Sequence, residues 1–551
     1  MNNSVFAKGI PKPVRIIGAV LAALIVAPLA VAVFSGAAVW WSIGSPSLLE
    51  WMALHPAEAL GRLPTLFLQV PKDLRNVVGL LCILAPMLAA GGVWKGTGRL
   101  NAAAWNDASL RGARLEEQSR KAGRKFKDHL QVGGVPIDRP AEVEHILISG
   151  ATGTGKSQIM DGFLRTIRPR GDRCLIIDHS GAFMARHGRE GDMLLNPFDA
   201  RSVAWSPFAE IFTDYDYRRI ANAMIPEPID GGADKAEWIR YGQIFLADML
   251  RVLHMRNKRS SAELHRYLTA ATPSELRAEL QGTTSAIFSD RANARLLGSV
   301  RGVITPYVRF LDYLPESSAP FSVRRWIKDE SLRNWLFLTY REDQMDDLRQ
   351  FLSCVAAIGM LEALTLPEST TRRLFFFLDE LASLGHLGRV PDLLTKLRKL
   401  GGSVVLAVQV LAQLRAVYGR DVSQAIIGNA ATKIILRQGD AETAKAWEAQ
   451  LGEREVRREL TSTTESRESI WKVKSRGKTI NTQIVRESVM LAAELMELPN
   501  LSGVMIRPGH PHTRFALKYV EMPGLYAGFL SGPIRRVRRR AVRPAMVEGE
   551  P

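Results

Sequence analysis

A glycine-rich stretch at residues 150–157 constrains the fold of this chain more than any other part of its sequence. It matches G-x-x-x-x-G-K-[ST], the phosphate-binding loop of nucleoside triphosphatases, and it lies between an apolar run and a predicted helix at 158–167. Glycines let backbone N–H groups converge on phosphate oxygens, and the helix N-terminus adds a positive dipole. Lys156 is expected to reach the β- and γ-phosphates, and Ser157 to bind Mg²⁺. The predicted nucleotide-binding residues are Gly150, Ala151, Thr152, Gly153, Thr154, Gly155, Lys156, Ser157 and Gln158.

Two carboxylates directly follow the apolar run 374–378. Because open α/β sheets bind ligands at the carboxyl ends of their strands, Asp379 and Glu380 are expected to face the phosphate loop. Asp379 is predicted to hold Mg²⁺, directly or through water, and Glu380 to polarise the attacking water as a general base. A strand followed by two acids is a weak signal alone. Combined with the phosphate loop, it predicts an enzyme that hydrolyses ATP with Mg²⁺.

Three further polar residues near strand ends are candidates for the same site. Gln409 ends the apolar run 403–408 and is expected to sense the γ-phosphate or position water, with a simple strand terminus as an equal alternative. Arg398 is the candidate for an arginine that reaches the γ-phosphate of a neighbouring subunit, and Arg437 is the second choice. A helix C-terminus, where Arg398 is predicted to lie, attracts cations in any case.

The fold class is predicted from apolar runs that recur without alternation. Such runs are typical of parallel strands buried on both faces, and helical patterns lie between several of them, including 348–364 and 390–400. The chain is therefore expected to contain a doubly wound α/β domain with a parallel sheet. The predicted strands are 145–149, 174–178, 335–340, 374–379, 403–409 and 432–437.

Residues 213–325 have helical patterns and no buried-strand run, which predicts an all-helical domain inserted between the second and third strands. Thr272 and Glu275 form a predicted capping box, and Pro306 is expected to kink or split a helix over 291–311. Several basic and aromatic residues can contact nucleic acid, although core packing with a solvated basic face is the favoured explanation. These residues are Arg240, Tyr241, Arg251, His254, Arg256, Lys258 and Arg259.

Two uncharged runs near the N-terminus, 16–41 and 77–94, predict membrane-spanning helices, since about 20 apolar residues cross the hydrocarbon core. A signal peptide is the alternative for the first run. That run is long for one, no clear A-x-A site follows, and a second span comes after it. Lysine and arginine are denser before the first and after the second span than between them. Both termini and the large body are therefore expected in the cytoplasm, with a periplasmic loop at 44–76.

The composition favours one kind of partner and argues against disulfide and zinc sites. The formal net charge of +17 suits a polyanionic partner or an anionic membrane face, although a basic surface without a specific partner is the alternative. Cys82, Cys174 and Cys354 are too far apart in sequence for a disulfide framework or a zinc motif, which indicates a reducing compartment. The histidines show no ligand spacing, so Mg²⁺ is the only metal predicted.

These observations divide the chain into segments. A membrane anchor at 1–95 precedes a basic linker at 96–129, which contacts lipid headgroups or is an ordinary solvated linker. The helical domain at 213–325 separates two parts of the nucleotide-binding domain, 130–212 and 326–523. A basic tail at 524–551 is expected to be disordered, with a membrane or nucleic acid contact as the alternative.

Several of these motifs occur together in one protein family. After the two spans, the relevant segments are 133–136 (Gly-Gly-Val-Pro), 145–157, 178–181 (Asp-His-Ser-Gly), 195–202 (Leu-Asn-Pro-Phe-Asp-Ala-Arg-Ser), 379–385 (Asp-Glu-Leu-Ala-Ser-Leu-Gly) and 408–409 (Val-Gln). With them, the chain resembles the type IV coupling proteins of conjugation systems, the TraD/TraG-like membrane ATPases. The similarity extends from the first span to about residue 520. One departure is Ala182, where the family often has an acidic residue.

The resemblance implies a fold, an activity and partners. It implies a RecA-like motor domain in a homohexameric ring with a central channel, an all-α domain at the cytoplasmic mouth, and a place in the bacterial inner membrane. Family members recruit a relaxase bound to single-stranded DNA and pass it to a type IV secretion channel, powered by ATP. Single- or double-stranded DNA, relaxosome proteins and channel subunits are therefore the expected partners. The functional lysine and acids of the family correspond to Lys156, Asp379 and Glu380.

Three other functions share part of this pattern. A chromosome-segregation translocase of the FtsK kind has a similar motor, but it usually carries four spans and a long linker. A receptor that binds secretion substrates without pumping them is the second alternative, and export of protein effectors instead of DNA is the third. The prediction is an ATP-driven DNA translocase that couples a relaxase–DNA complex to the secretion channel.

Overall fold

The computed structural model describes residues 84–85, 87–88, 112–117, 128–228, 232–388, 390–466 and 475–532. By compactness the chain divides into two units, residues 1–111 with 455–485, and residues 112–454 with 486–551. The predicted spans at 16–41 and 77–94 lie outside the described residues, except for 84–85 and 87–88, which are helical. Over the residues described, none of the helices combines the length and apolar character that crossing a membrane requires.

The strands of the described residues are numbered in chain order. They are β1 (Leu115–Glu117), β2 (Leu130–Val132), β3 (Val135–Ile137), β4 (Ile146–Ser149), β5 (Arg173–His179), β6 (Met193–Leu195), β7 (Leu336–Tyr340), β8 (Leu374–Leu378), β9 (Gly402–Val408), β10 (Thr432–Leu436), β11 (Glu453–Ser466), β12 (Ser475–Ser488), β13 (Ser502–Ile506) and β14 (His512–Ala516). One large sheet has the order β1-β14-β13-β10-β4-β9-β8-β5-β7-β6. β2 pairs with β3, and β11 pairs with β12, in separate two-stranded sheets.

The large sheet is parallel through its centre. β4 is parallel to both of its neighbours, β9 and β10, and β8, β5, β7 and β6 continue the parallel arrangement. β13 is antiparallel to β10 and to β14. All six predicted strands are present, which confirms the α/β class. The prediction of a parallel sheet is corrected to a mixed one, because β13 enters the sheet antiparallel to β10 and a short turn then reverses the chain into β14.

Alternate side chains of the central strands enter two apolar cores on opposite faces of the sheet. Leu175 and Phe376 belong to the core that extends into the helical region, whereas Ile176 and Phe375 belong to the core that contains the helix after the phosphate loop, Lys156–Arg170. Successive side chains of a strand point to opposite faces, so both faces are covered here. This double burial explains why these strands are continuous apolar runs.

The helices are likewise numbered in chain order. They are α1 (Lys156–Arg170), α2 (Ala182–His187), α3 (Asp216–Met224), α4 (Gly232–Met255), α5 (Ser261–Thr269), α6 (Pro273–Leu280), α7 (Ala294–Val308), α8 (Val323–Lys328), α9 (Met345–Ala363), α10 (Val390–Leu397), α11 (Leu411–Asn429), α12 (Ala441–Leu451) and α13 (Ala492–Glu497). α1 begins after Gly155 and ends just before Gly171, and both glycines are in the left-handed conformation. Glycine adopts this conformation without steric cost.

The helices α3 to α8 lie between β6 and β7, and the described residues of 213–325 contain no strand. The capping box is confirmed, since Thr272 Oγ1 accepts a hydrogen bond from Glu275 N and the Glu275 carboxylate accepts one from Thr272 N. Pro306 does not split α7, which continues to Val308 and then tightens into a 3-10 turn at Arg309–Tyr313. Its place near the end of α7 leaves little helix to interrupt.

A buried polar network joins the two ends of the helical region to α9. The Arg324 guanidinium donates to Glu362 Oε2 at 2.6 Å and lies 2.7 Å from Asp216 Oδ1. The Glu210 carboxylate accepts hydrogen bonds from the backbone N–H groups of Val323 (2.8 Å) and Arg324 (3.1 Å). Glu210, Asp216 and Glu362 are fully buried. Glu210 comes just before the helical region, Asp216 begins α3, and Arg324 lies in α8 at the other end, so the network holds the two ends of the region together.

Residues 519–532 lie against the nucleotide-binding body. The sequence places 524–551 in a tail that is expected to be disordered, but the N–H of Leu525 donates to Ala185 O (2.7 Å) and that of Gly532 to Phe198 O (2.9 Å). These backbone bonds join segments that are far apart in sequence, so no local pattern signals them. The part of the tail beyond residue 532 lies outside the described residues.

Candidate active site

The phosphate loop lies at the carboxyl edge of the sheet, between β4 and α1. Its backbone is held by both neighbouring strands: the N–H of Gly150 donates to the last residue of β9 (3.2 Å), and that of Ala151 to the carbonyl of Arg437, just after β10 (2.9 Å). Gly153 and Gly155 have φ angles of 76° and 116°, which L side chains rarely adopt. Glycine at these two positions is therefore a requirement of the loop geometry.

Lys156 is buried at the start of α1 and folds back over the loop. Its Nζ donates to the carbonyl oxygens of Gly150 (2.8 Å) and Ala151 (3.1 Å). Burial lowers the pKa of Lys156, and the nearby carboxylates of Glu380 and Asp379 oppose that effect. The ammonium group therefore lies between the loop and the two acids, where phosphate oxygens would replace the carbonyl partners.

The other predicted loop residues are close by. Thr154 Oγ1 donates to a carbonyl oxygen of the loop itself (2.8 Å), which stabilises the turn. Thr152 Oγ1 donates to Gln409 Oε1 (2.9 Å). Ser157 and Gln158 lie in the first turn of α1 and line the same cleft as Lys156. Gln158 Oε1 also accepts a hydrogen bond from Val520 N (3.0 Å).

The two acids follow β8 directly, and β9 is the only strand between β8 and β4 in the sheet. Burial raises the pKa of Glu380 to about 7 and also raises that of Asp379, while Lys156 opposes both shifts. Within the described part of the chain, both carboxylate oxygens of Glu380 are buried without a hydrogen bond of good geometry, although the Gln409 side chain lies close enough to oppose the rise in the pKa of Glu380. A buried acid without a donor is costly unless a ligand or water completes it.

The residues present fit a magnesium–nucleotide complex. Mg²⁺ prefers oxygen ligands and few protein donors, and the Ser157 hydroxyl and the Asp379 carboxylate line one cleft. The buried oxygens of Glu380 supply the independent observation, because they lack a hydrogen bond of good geometry and a bound molecule or water in the cleft can donate to them. Among the described residues, no group of three or more acidic, histidine and cysteine side chains is arranged to hold a metal by itself.

The arginine candidates occupy opposite edges of the sheet. Arg398 precedes β9 at the amino edge, where its guanidinium pairs with Glu144, so the structure does not bring it to the phosphate loop of its own chain. Arg437 follows β10 at the carboxyl edge, and its backbone carbonyl holds the loop. Gln409, which follows β9, lies at the same edge beside Thr152. Of the three, Gln409 and Arg437 are therefore next to the loop.

The cleft has a volume of about 960 Å³ and contains side chains that sequence reasoning did not select. His179 Nε2 lies 3.2 Å from Glu342 Oε2, and the hydroxyl of Tyr340 lies 3.3 Å from Ser383 Oγ. These residues follow or end β5, β7 and β8 at the carboxyl edge, so the strand pattern could have indicated them. The cleft also includes Asn500, Leu501, Tyr519, Gln413, Ala416 and Val417. Their positions depend on long-range contacts.

Asp178 lies on β5 beside the acids but serves the backbone. Its Oδ2 accepts a hydrogen bond from Met184 N at 2.7 Å, which holds the start of α2. Complete burial raises the pKa of Asp178 to about 7, and the N–H donors of α2 oppose the shift. Ala182, the departure from the family pattern, is the first residue of α2.

Intramolecular contacts account for much of the basic and aromatic group in the helical region. Arg256 and Lys258 both pair with Glu279, at 2.5 and 3.0 Å. His254 Nδ1 lies 2.9 Å from the Tyr217 hydroxyl. Tyr241 is half-buried against the core and donates to Glu237. Exposed arginines make up the rest of the group, namely Arg240, Arg251 and Arg259.

Comparison with known proteins gives consistent matches. The profile of the type IV secretion-system coupling protein DNA-binding domain matches residues 129–518. The coupling protein TraD of Escherichia coli (strain K12) is 26% identical over 432 residues, which are 76% of this chain and 59% of TraD. The chain thus spans about three fifths of the length of that relative.

Solved structures of the bacterial conjugative coupling protein TrwB are also similar. The unbound monoclinic form of TrwBdeltaN70 is 33% identical, with a TM-score of 0.68 over 77% of this chain and 96% of that one. TrwB with ADP and Mg²⁺ is 32% identical, with a TM-score of 0.67 over 77% and 97%. TrwB with the non-hydrolysable ATP analogue ADPNP is 31% identical, with a TM-score of 0.68 over 78% and 99%.

Proposed function

The chain belongs to the type IV secretion-system coupling protein family, and we propose that it is a membrane-anchored, ATP-driven DNA translocase that couples a relaxase–DNA complex to a secretion channel. The observation that carries the proposal is the convergence of Lys156, Asp379 and Glu380 on one cleft. The similarity to TrwB, which has been solved with ADP and Mg²⁺ and with ADPNP, supports ATP and Mg²⁺ as its ligands.

In this mechanism the loop N–H groups and the start of α1 bind the phosphates. The Lys156 ammonium exchanges its two carbonyl partners for phosphate oxygens and neutralises charge that develops on them. Ser157 and Asp379 would hold Mg²⁺, which supplies further charge neutralisation when it is bound. Glu380, as the carboxylate, accepts a proton from the attacking water, and the rise of its pKa to about 7 on burial strengthens it as a base.

Gln409 is proposed to connect the state of the nucleotide to the loop. Its Oε1 accepts the Thr152 hydroxyl, and it follows the strand that separates the loop from the acids. A polar side chain at this point can respond to the presence of a γ-phosphate. The resemblance also suggests an arginine from a neighbouring subunit; Arg398, which lies at the opposite edge of its own sheet, remains the first candidate and Arg437 the second.

The membrane anchor, the ring and the DNA partner belong to the same proposal. The uncharged runs at 16–41 and 77–94 support two spans, with the catalytic body and both termini on the cytoplasmic side of a bacterial inner membrane. A homohexameric ring follows from the family resemblance. The net charge of +17 supports binding to a nucleic acid backbone, and the matched domain is described as DNA-binding. Relaxosome proteins and channel subunits are the proposed protein partners.

ATP hydrolysis by the purified full-length chain tests this function. We expect DNA to increase the rate, and Lys156→Ala to abolish hydrolysis with and without DNA. Lys445→Ala is the matched control, because that lysine is exposed on α12 and away from the cleft. DNA-stimulated turnover that survives in Lys156→Ala would overturn the assignment of the loop. Hydrolysis that DNA leaves unchanged would count against the DNA motor.

A further inference from the structure

The segment 519–532, here called the strap, runs from the nucleotide cleft to the Asn-Pro-Phe-Asp-Ala-Arg motif at 196–201. Near its start, Val520 N donates to Gln158 Oε1 on α1 (3.0 Å). Leu525 N then donates to a carbonyl oxygen of α2 (2.7 Å), and Leu530 N donates to Asp199 Oδ2 (3.1 Å). The strap is therefore attached at its beginning, middle and end.

The Asn-Pro-Phe-Asp-Ala-Arg motif holds the far end of the strap. Asp199 is buried and accepts hydrogen bonds from the Leu530 N–H and from the Arg201 guanidinium (2.7 and 2.9 Å). The same guanidinium donates to Ala527 O (2.7 Å), and Ala200 N donates to Leu530 O (2.8 Å). The motif thus forms a built clamp for this segment, a role that its sequence alone did not reveal.

Two glycines make the middle of the strap sensitive to substitution. Gly181, before α2, would place a Cβ only 2.1 Å from Gly528 O. A Cβ at Gly528 would lie 2.9 Å from Ser180 O. A side chain does not fit at such distances from backbone atoms. The backbones of the strap and of the loop before α2 are therefore in direct contact, which only glycine allows at these two positions.

Tyr519, at the beginning of the strap, is an aromatic side chain exposed in the nucleotide cleft. It is 67% exposed and lines the cleft together with Asn500 and Leu501. Leu501 lies directly on the phosphate loop: its N–H donates to Thr154 O (3.0 Å), and its O accepts the N–H of Leu517 (2.7 Å). This wall is formed by the start of β13 and the end of β14.

The order of the strands determines which end of a bound nucleotide meets that wall. Lys156 and the acids after β8 set the γ-phosphate end. The loop follows β4. In the sheet, β9 and β8 lie on one side of β4, and β10, β13 and β14 lie on the other side. A nucleotide that extends away from the acids therefore directs its base towards Leu501 and Tyr519.

We propose that Tyr519 stacks on the nucleobase and that the strap, clamped by Asp199 and Arg201, positions it there. This rests on the proposed nucleotide site and adds the residue that recognises its base. Every base has a π-face, so stacking on a tyrosine ring does not distinguish adenine from guanine. Tyr519 therefore contributes affinity for both ATP and GTP and no contact with the phosphates.

Competition binding with the full-length chain separates base contacts from phosphate contacts. ATP, GTP and inorganic triphosphate are the three competitors. Tyr519→Ala is expected to weaken ATP and GTP about tenfold, a loss typical of one stacked base, and to leave inorganic triphosphate unchanged. Tyr519→Phe should restore ATP affinity, because the ring is retained. Tyr215→Ala, at a tyrosine of similar exposure (66%) in the helical region, is the matched control and should bind all three normally.

The result also distinguishes the two proposals. Wild-type protein that binds neither ATP nor inorganic triphosphate would overturn the nucleotide site itself. Wild-type affinity for ATP in Tyr519→Ala would overturn the stacking role and leave the site intact. Equal losses for ATP and inorganic triphosphate would show a general distortion of the loop and would also overturn the stacking role.

A double-mutant cycle tests the strap. Gly528→Ala is expected to weaken ATP severalfold, with inorganic triphosphate unchanged, and to add no further loss in the Tyr519→Ala background. Additive losses would show that the strap does not act through Tyr519. Asp199→Asn, which weakens the clamp at the other end of the strap, should give the same pattern. It also keeps the test decisive if thermal unfolding shows that Gly528→Ala does not fold.

Discussion

Glu380 combines burial, proximity to Lys156 and carboxylate oxygens without a hydrogen bond of good geometry in the described structure. Glu380→Gln keeps the shape of the side chain and removes its ability to accept a proton. We expect ATP affinity to be retained and kcat to fall by about 10² to 10⁴, the range typical of general bases. ATP binding and single-turnover hydrolysis measure the two steps separately. Glu497→Gln, at an exposed acid on α13, is the control.

DNA transfer by the Glu380→Gln variant separates a motor from a receptor. A translocase should lose transfer together with hydrolysis, because the work comes from ATP. Normal transfer by a variant that binds but does not hydrolyse ATP would favour a receptor that presents substrates without pumping them. The assay is conjugative transfer in cells that contain only the variant.

His145, just before β4, makes the stability of the folded chain depend on pH. The pKa of His145 is lowered from 6.5 to about 4, mainly by burial; the Leu394 carbonyl opposes the shift, and the nearby charge of Arg398 contributes to it. Between these pH values the unfolded chain binds a proton that the folded chain excludes. Neutral His145 therefore makes its full contribution to the free energy of unfolding above pH 6.5. That contribution decreases as the pH falls towards 4, and at pH 5 the loss is about 2 kcal/mol.

Denaturant unfolding at pH 7 and pH 5 measures this contribution. The decrease in unfolding free energy on acidification should be about 2 kcal/mol smaller in His145→Gln than in the wild type. An identical decrease in both proteins would show that another group carries the acid sensitivity. His145→Gln also removes the acceptor of the Val404 N–H, so the comparison uses the pH dependence instead of the absolute stability.

At the scale of elements, α8 is held in place by a network of buried ion pairs whose other members lie on distant helices. Arg324, buried on this short helix, pairs with Asp216, the first residue of α3, and with Glu362 on α9. Arg324→Met leaves both carboxylates without this partner, and removing one member of a buried ion pair typically costs about 3 to 5 kcal/mol. We expect a loss of at least about 3 kcal/mol in the free energy of unfolding.

The neighbouring residue gives a matched control. Arg325 is exposed on the same helix, so Arg325→Met should cost less than about 1 kcal/mol. Equal small losses in the two variants would show that Arg219 and Lys328, which also pair with Glu362, satisfy the network without Arg324. Chemical denaturation of the full-length chain is the measurement.

Elements differ in how well their patterns predicted them. The central strands and α9 were predicted because burial on both faces, or a long helical period, leaves a strong local signal. β6 has three residues and was too short to give such a signal. β11 and β12 are fourteen residues each and were missed because they are rich in charged residues, serine and threonine instead of apolar runs.

At the scale of the whole molecule, the excess positive charge should make DNA binding depend strongly on salt. Neutralising each phosphate of a single strand releases about 0.7 counterions, so affinity falls steeply as salt rises. We expect the affinity of the full-length chain for a fluorescent single strand to fall by at least about tenfold between 50 and 200 mM salt, as several phosphate contacts require. Lys156→Ala should keep the same slope, since that lysine faces the nucleotide. An affinity independent of salt would contradict backbone recognition.

The sequence alone determined the chemistry that local residues carry. The loop at 150–157 needs glycines at positive φ and a lysine at the start of a helix, and these requirements are visible in consecutive residues. The acids after β8 and the six apolar strands were equally local. The α/β class and the nucleotide site therefore followed from patterns within single segments.

Only the tertiary structure decided which distant residues meet. Strand order places Gln409 beside Thr152 and Arg398 at the opposite edge, and neither result is visible in spacing along the chain. The attachment of the strap to Asp199 and the position of Tyr519 in the cleft likewise join segments that are remote in sequence. A local pattern reflects the burial of one segment. Contacts between segments depend on the register and packing of the whole sheet, which no single segment contains.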